Sequence, residues 1–507
     1  MISKVFSAVP RGVEALPVQV EVDVRPGLPA ITVVGLPDTA VREARERVLA
    51  AIRHLGCHLD SRSIVVNLSP AEERKEGSLL DLAIATGIIA GSAHLPATPL
   101  AETWLLGELS LDGGLRPVRG VLPIVEAATR AGASVILPAD NLAEALVIRG
   151  ARVFPASSLG RVIAHLRGDQ PIDAARGDST EGERHAQSAP LDLADVAGQE
   201  RAKRALEVAA AGGHHLLFLG PPGAGKTMLA QRLPGILPDL TEEEALATTK
   251  VYSVTAGVPR PRGLLRERPF RAPHHTISAA GLVGGGHLPH PGEVSLAHNG
   301  VLFLDELTEF RRDALEVLRQ PLEQGTVTIT RAAGSLQFPA HFQLVAATNP
   351  CPCGYLGDPR RECRCTPLQV RRHRARLSGP LLDRIDIQLD VPVVPFRQLA
   401  TASAGETSAV VRERVQRARE RQAARLRGSG RRTNAELTPR EIRRYCPLDA
   451  EGERLLELAV TRLALSPRAI HRVLKVARTI ADLEESEHLL PRHVAEAVSY
   501  RALDRAN

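Results

Sequence analysis

The sequence predicts a mixed α/β chain in three parts. An α+β region over 1–166 leads through a linker over 167–190 to an α/β core over 191–395 that carries a phosphate-binding loop. A helical segment over 396–507 follows. Three observations carry this reading. Strand-like alternation and an amphipathic helix share the first 166 residues. A buried apolar strand runs into a glycine-rich loop ending in Lys226 and Thr227. Helix formers without a strong strand signal fill the chain after about residue 405. With 507 residues the chain is long enough for roughly three domains. Hydrophobic content of 44% and charged content of 24% belong to a globular protein with a sizeable core. Aromatics make up only 3%, which argues against base-stacking platforms, while the net charge of +6 favours a polyanionic partner such as nucleic acid.

In the first region, QVEVDV (19–24), ITVVG (31–35) and SIVVNLSP (63–70) read as strands. DTAVREARERVLAAIRHLG (38–56) reads as a helix with Asp38 as N-cap and Gly56 past its end. The most apolar run, LLDLAIATGIIAG (79–91), is too short to span a membrane and contains Asp81. The N-terminus has no charged-then-apolar leader pattern, so a cytoplasmic protein is expected. Isolated Cys57 and Cys446 then read as inert core thiols. The polar stretch 167–190 has no apolar period and reads as a linker.

The core opens with LLFLGPPGAGKT (216–227). Gly220, Pro221, Pro222, Gly223, Ala224 and Gly225 form a loop whose backbone N–H groups can close around phosphates. Lys226 reaches the β- and γ-phosphates of ATP, and the Thr227 hydroxyl serves Mg²⁺. GVLFLDEL (300–307) ends a second strand in two acids: Asp305 for the Mg²⁺ shell, Glu306 to polarise the attacking water. FQLVAATN (342–349) ends a third strand in Asn349, an amide able to orient that water. In LSGPLLDRIDIQLDVP (377–392), Arg384 sits on a short turn before a strand, where it can act as a finger on a neighbouring subunit's γ-phosphate or simply pair with Asp383.

Between Asn349 and Arg384 lies NPCPCGYLGDPRRECRCTP (349–367), which holds four of the six cysteines. Little of this segment can be buried, and its glycines and prolines oppose regular structure. Cys351, Cys353, Cys363 and Cys365 around one Zn²⁺ would order it. A disulfide pair or four free thiols remain alternatives. Lys226 and Asp305 are 79 residues apart, and the excess includes a glycine-rich exposed loop with His274, His275 and His287, for which local hydrogen bonding is favoured over metal binding. GTVTITRAAGSLQFPAHF (325–342) reads as a hairpin with Arg331, Ala332, Ala333 and Gly334 at its turn. Arg331 is the candidate DNA-phosphate contact. Residues 411–445 carry twelve arginines against four glutamates, either a solvated helical face or a phosphate-binding one.

Phosphate loop, LFLDE, AATNP and SGPLLDRID, in this order, resemble the magnesium-chelatase branch of the AAA+ ATPases. LSPRAIHRVLKVARTIADL (465–483) resembles that branch's helical lid, with Arg468 where a sensor arginine belongs. The resemblance implies that the glycine-rich loop is an insert in the second helix that projects into a ring's pore. LLGELSLDGGLRPVRGVLPIVEAATRAG (105–132) resembles the Lon-protease and ribosomal-S5-type domain. Leu79 occupies the place of that fold's nucleophilic serine and Leu122 that of its lysine, with Ser78 one residue off, so peptidase chemistry is not expected. An S5-type domain ahead of a chelatase-type ATPase resembles the YifB/ComM family. That resemblance implies a hexameric ATP-driven motor acting on branched or single-stranded DNA, in branch migration during natural transformation or recombination. A metal-chelatase subunit and a protein-remodelling or regulatory ATPase are the competing classes.

Overall fold

The computed structural model of the protein describes residues 2–177, 191–395 and 405–501, apart from positions 58, 60, 76, 93, 94, 96, 97, 287, 288, 332 and 333. The N-terminal domain is built on an eight-stranded sheet. In spatial order its strands are 175–176, 152–156, 134–138, 103–105, 2–11, 14–26, 62–69 and 30–34. Period-two alternation sets its faces: Val18, Val20, Val22 and Val24 are buried, and the polar residues between them turn outward. The run 81–91 is a helix buried at every position, and its one charged residue, Asp81, is paired with Arg47 at 2.8 Å. The helix lies close on the sheet because Gly87 has no side chain; a Cβ there would come within 2.7 Å of Val22. The helix Thr39–His54 is capped as expected, with Asp38 accepting from the Val41 amide at 2.7 Å.

The expected linker begins later than its composition indicates. Ala175 and Arg176 pair with Val153 and Arg152 as an edge strand, and a Cβ on Gly177 would lie 2.1 Å from the Ile148 carbonyl oxygen. Polar residues can complete a sheet edge without any apolar period, which is why this stretch reads as linker. Residues 178–190 lie outside the described residues.

The second domain is a five-stranded parallel sheet in the order 270–271, 301–304, 343–348, 216–219, 387–390. Its central strands are continuous apolar runs because both faces are covered. Leu216, Phe218, Val301 and Phe303 face one core, shared with helices 200–212 and 226–236 and with the C-terminal helices. Leu217, Leu219, Leu302 and Leu304 face the other, shared with 307–318 and the hairpin 326–339. Among the described residues of 405–501 there are helices and no strand beyond a single bridge from Arg501 to Gln388. Buried His214 ties this helical unit to the sheet: its Nδ1 lies 3.0 Å from Asp386 and its Nε2 2.8 Å from Thr479, while Arg472 meets the other Asp386 oxygen at 2.8 Å.

The two α/β domains touch at a defined seam. The Gly120 amide donates to the Ser253 carbonyl at 2.9 Å, and Arg119 donates to the carbonyls of Thr255 at 2.6 Å and Val258 at 3.0 Å. Lys250 pairs with Glu126. No described helix is long and apolar enough to cross a membrane.

Candidate functional site

Strand Leu216–Leu219 ends at the phosphate loop, and helix Lys226–Ile236 begins where the loop closes. Gly223 and Gly225 have φ of 77° and 88°, the left-handed conformation glycine adopts without steric cost. A Cβ on Gly220 would stand 2.2 Å from the Val391 carbonyl oxygen, so the loop can leave its strand only with glycine there. Lys226 is buried and donates to the carbonyls of Gly220 at 2.6 Å and Pro221 at 3.0 Å and to Asn349 Oδ1 at 3.1 Å. Burial holds its ammonium below the usual lysine range, partly offset by Asp305 and Glu306. Thr227 donates to Asp305 Oδ2 at 2.6 Å, and the Glu306 amide donates to Asp305 Oδ1 at 2.9 Å.

The sheet order explains the convergence. Strands 301–304 and 216–219 flank 343–348, so Asp305, Glu306, Asn349 and the loop all emerge at the carboxyl ends of three adjacent parallel strands. The donor set fits a magnesium nucleotide: a lysine, a hydroxyl beside a carboxylate, and backbone N–H groups at a helix start. Gln199, which sequence reasoning missed, braces the loop from behind by donating to the carbonyls of Ala224 at 3.1 Å and Pro392 at 2.6 Å. His373, also missed, hydrogen-bonds the Asn349 carbonyl through Nε2 at 3.1 Å.

Arg384 and Arg468 stand apart from this cluster. Arg384 pairs with Glu323 and donates to the Pro380 carbonyl; Arg468, largely exposed, lies 4.0 Å from Asp383. Arg468 thus comes near Asp383, the chain neighbour of Arg384. Neither contacts residues 220–227 among the described contacts.

The four cysteines come together. Cys351 Sγ lies 3.4 Å from Cys353 and 3.7 Å from Cys363, Cys353 lies 3.6 Å from Cys363, and Cys365 completes the group within 4.8 Å. Tetrahedral thiolates at a Zn–S bond of about 2.3 Å have sulfurs roughly 3.8 Å apart, so the set fits zinc. Amides of Tyr355 and Arg364 pull the Cys353 thiol down to about 6. Cys363, despite the Cys365 amide, is pushed up to about 12 by burial and by its cysteine neighbours. This loop rests on the phosphate loop: a Cβ on Gly354 would lie 2.8 Å from Pro222 Cδ and 3.9 Å from Asn349 Cγ.

In the glycine-rich segment two short helices, 279–283 and 293–296, flank a small hairpin of 284–285 and 290–291. Hairpin 326–331/334–339 lies beside it, and Arg331, exposed, reaches the Gly286 carbonyl at 3.4 Å. Ala332, Ala333 and His287 lie outside the described residues. His274 bonds Thr276 locally, as expected, and the four cysteines are the only potential metal-ligand group among the described residues.

The arginine-rich stretch 411–445 proves mostly committed within the chain. Arg412, Arg414, Arg417, Arg421, Arg425, Arg431 and Arg432 pair with acids, and Arg419 is spent on the Ala210 carbonyl. Their partners include Glu207, Asp239, Glu244, Asp482 and Glu485, which a count of local charge cannot see.

In the N-terminal domain, Leu79 and Leu122 are buried in one apolar cluster with Trp104 and Leu106. Ser78 bonds Glu108.

A five-stranded parallel sheet with these motifs at its carboxyl edge, and a helical unit packed on one face, defines an AAA+ ATPase. Family models agree along the chain: "Subunit ChlI of Mg-chelatase" matches 20–141, "Magnesium chelatase, subunit ChlI" matches 192–399, and the ChlI C-terminal model matches 405–501. The uncharacterized protein YifB of Salmonella typhimurium is 47% identical over 97% of this chain and 96% of its own length. The competence protein ComM of Haemophilus influenzae is 46% identical over 99% and 97%. The chain belongs to this YifB/ComM family of magnesium-chelatase-like AAA+ proteins. Lon protease 2 of Bacillus subtilis is 28% identical over 32% of the chain, and this similarity lies in the N-terminal region.

Proposed function

We propose that the protein is a cytoplasmic, ATP-driven hexameric motor that acts on branched or single-stranded DNA. One observation carries the reading: the insert and the Arg331 hairpin stand side by side and are joined to the ATPase sheet at its catalytic strands. In this reading Glu306 accepts a proton from the attacking water while Asn349 orients it. Bound Mg²⁺, held by Thr227 and Asp305, supplies charge neutralisation on the phosphates. Lys226 leaves its carbonyl partners for the γ-phosphate. Arg384 and Arg468, away from their own phosphate loop, complete the site of the next subunit. The cysteine group holds a structural zinc that orders the loop over Pro222. The name of the relative ComM, a competence protein, supports a place in natural transformation or recombination.

The test is ATPase stimulation. Forked DNA should stimulate hydrolysis with a steep salt dependence, and Arg331→Ala should weaken the stimulated rate more than the basal rate. Stimulation by an unfolded protein and not by DNA would favour a remodelling ATPase. Stimulation by a tetrapyrrole-binding partner alone would favour a chelatase subunit.

A further inference from the structure

Behind the ATP site, at the amino ends of the same three strands, lies a cavity of about 560 Å³. His215, Gly300 and Phe342, each one residue before its strand, line it on the sheet side. Its size suits a small ligand, for which pockets span roughly 300–1,000 Å³. Its charges do not balance. Glu244 alone answers two guanidiniums, Arg268 at 3.1 Å and Arg432 at 2.8 Å. Glu436 is taken by His341 at 3.2 Å, and Arg431 and Glu323 pair with Glu441 and Arg384. Two cations from the helical unit are left. Arg419 gives Nε and Nη2 to the Ala210 carbonyl, and Lys475 gives Nζ to the Ala435 carbonyl at 2.7 Å. Neither meets a carboxylate among the described residues. Asp386, which attracts Lys475, is already held by His214 and Arg472. Desolvation, and then neighbouring Arg268, holds the Arg419 guanidinium down to about 10; desolvation also holds the Lys475 ammonium below the usual lysine range. His215 accepts at Nδ1 from the Leu344 amide at 3.0 Å, which leaves its ring proton on Nε2 as a further donor.

A guanidinium and an ammonium taken out of water without a carboxylate cost stability, and an oxyanion between them offsets that cost. We propose that this cavity binds a small ligand through a diphosphate group, with Arg419 and Lys475 as its principal contacts and Arg268 and His215 as donors from the sheet side. Two cations without acids, beside a pair that shares one acid, suit a diphosphate better than a single phosphate. The cavity is walled by the sheet on one side and the helical unit on the other, which suits a free anion and not a DNA backbone. The site is separate from the phosphate loop, which opens at the opposite ends of the strands. A bound diphosphate fastens the helical unit to the sheet. The inference is independent of what the motor acts on.

The experiment titrates the full chain carrying Lys226→Ala, in which the phosphate loop no longer competes, with pyrophosphate and with inorganic phosphate by calorimetry. One pyrophosphate should bind per chain, more tightly than phosphate, and should raise the unfolding temperature. Adding Arg419→Gln or Lys475→Gln should weaken pyrophosphate binding at least about tenfold. Adding Glu436→Gln removes a competing negative charge and should tighten binding, a gain that damage to the fold cannot produce. With Lys226 intact, the same three variants should keep the DNA-free ATPase rate, which shows that the chain is folded. Absence of pyrophosphate binding, or binding indifferent to both cation variants, would overturn the proposal. Phosphate bound as tightly as pyrophosphate would overturn the diphosphate assignment. Displacement of pyrophosphate by a short single-stranded DNA would assign these cations to the DNA backbone and overturn the small-ligand reading.

Discussion

At the head of helix Lys226–Ile236, a lysine, a threonine, an aspartate and an asparagine from three strands meet within hydrogen-bond reach. In the N-terminal domain, where a Lon-type fold would keep its serine and lysine, two leucines meet instead, and Leu246 of the ATPase domain packs against the same cluster. The backbone amide of Leu122 faces Ser253 of that domain at 3.4 Å. The first region gathers charged and hydroxyl groups at a partly open sheet edge, whereas the second is closed and apolar. A fold thus offers a place for chemistry, and side-chain polarity decides whether chemistry occurs. Where it does not, the same surface is free to become a joint between domains.

The sharpest way to break this contrast is to exchange the character of the two places. Lys226→Ala should abolish nucleotide binding. Glu306→Gln should bind ATP yet hydrolyse it at least about a hundredfold more slowly, read by steady-state turnover beside a binding titration. Near-normal turnover would remove Glu306 from its role. The converse change, Leu122→Lys, restores a lysine at the Lon-like position. It should yield no peptidase activity and should destabilise the N-terminal domain by about 3–5 kcal/mol, because it puts an ammonium into a cluster of apolar side chains. Urea unfolding followed by the fluorescence of Trp104, the chain's one tryptophan and part of this cluster, reads the loss directly.

A subtler difference between the regions is their response to pH. Asp81, fully buried beside the leucine cluster, is pushed up to about 6 by burial, against the opposing pull of Arg47 at 2.8 Å. Its folded-state value lies above the ordinary 3.8, so the folded domain binds more protons between these limits. Its contribution to stability therefore falls as pH rises from about 4 to about 6 and is constant above. Asp81→Asn should remove that slope in Trp104-detected unfolding. A slope unchanged in the variant would mean that the carboxyl titrates normally.

The ATP site was legible in the sequence because its motifs are local: a loop of eight residues and three strand ends. The strand alternation and the Asp38 cap were legible for the same reason. What escaped depends on distance along the chain. Gln199 and His373 look ordinary in sequence, and His275, expected to bond locally, instead meets Glu306; the fold brings residues 224, 349 and 306 to them. The arginines of 411–445 read in sequence as either a solvated face or a phosphate-binding one, because many of their acids lie up to some two hundred residues away. The start of the linker was misjudged because an edge strand of two residues carries no period.

Whether the ATP site is finished by a second subunit is a partial-effect test. Arg384→Ala and Lys226→Ala chains, each inactive alone, should recover part of the activity when mixed. Some interfaces then pair an intact loop with an intact arginine. No recovery at any ratio, with mixed rings demonstrated, would place the arginine's role within its own chain.

The smallest expected effect concerns the cysteine loop, which has no counterpart in the N-terminal domain. Its Gly354 is stacked on Pro222 and its start is Asn349, the partner of Lys226, so its order bears on nucleotide affinity without taking part in hydrolysis. Burial cannot supply that order. Tyr355 covers the guanidinium of Arg361 at 4.2 Å and Arg360 is paired with Asp358, yet the loop has little apolar contact beyond Cys351. Four thiolates on one metal can supply it. Elemental analysis should find about one zinc per chain, lost in the Cys363→Ser/Cys365→Ser double variant. That variant should bind ATP several-fold more weakly, on the order of 1 kcal/mol, since a loosened loop no longer pre-sets the phosphate loop. Unfolding reported by Trp104 should be unchanged, because the cysteine group lies outside the N-terminal domain. Metal-free protein that binds ATP as tightly as the zinc form would show that the phosphate loop holds its shape without the knuckle over it.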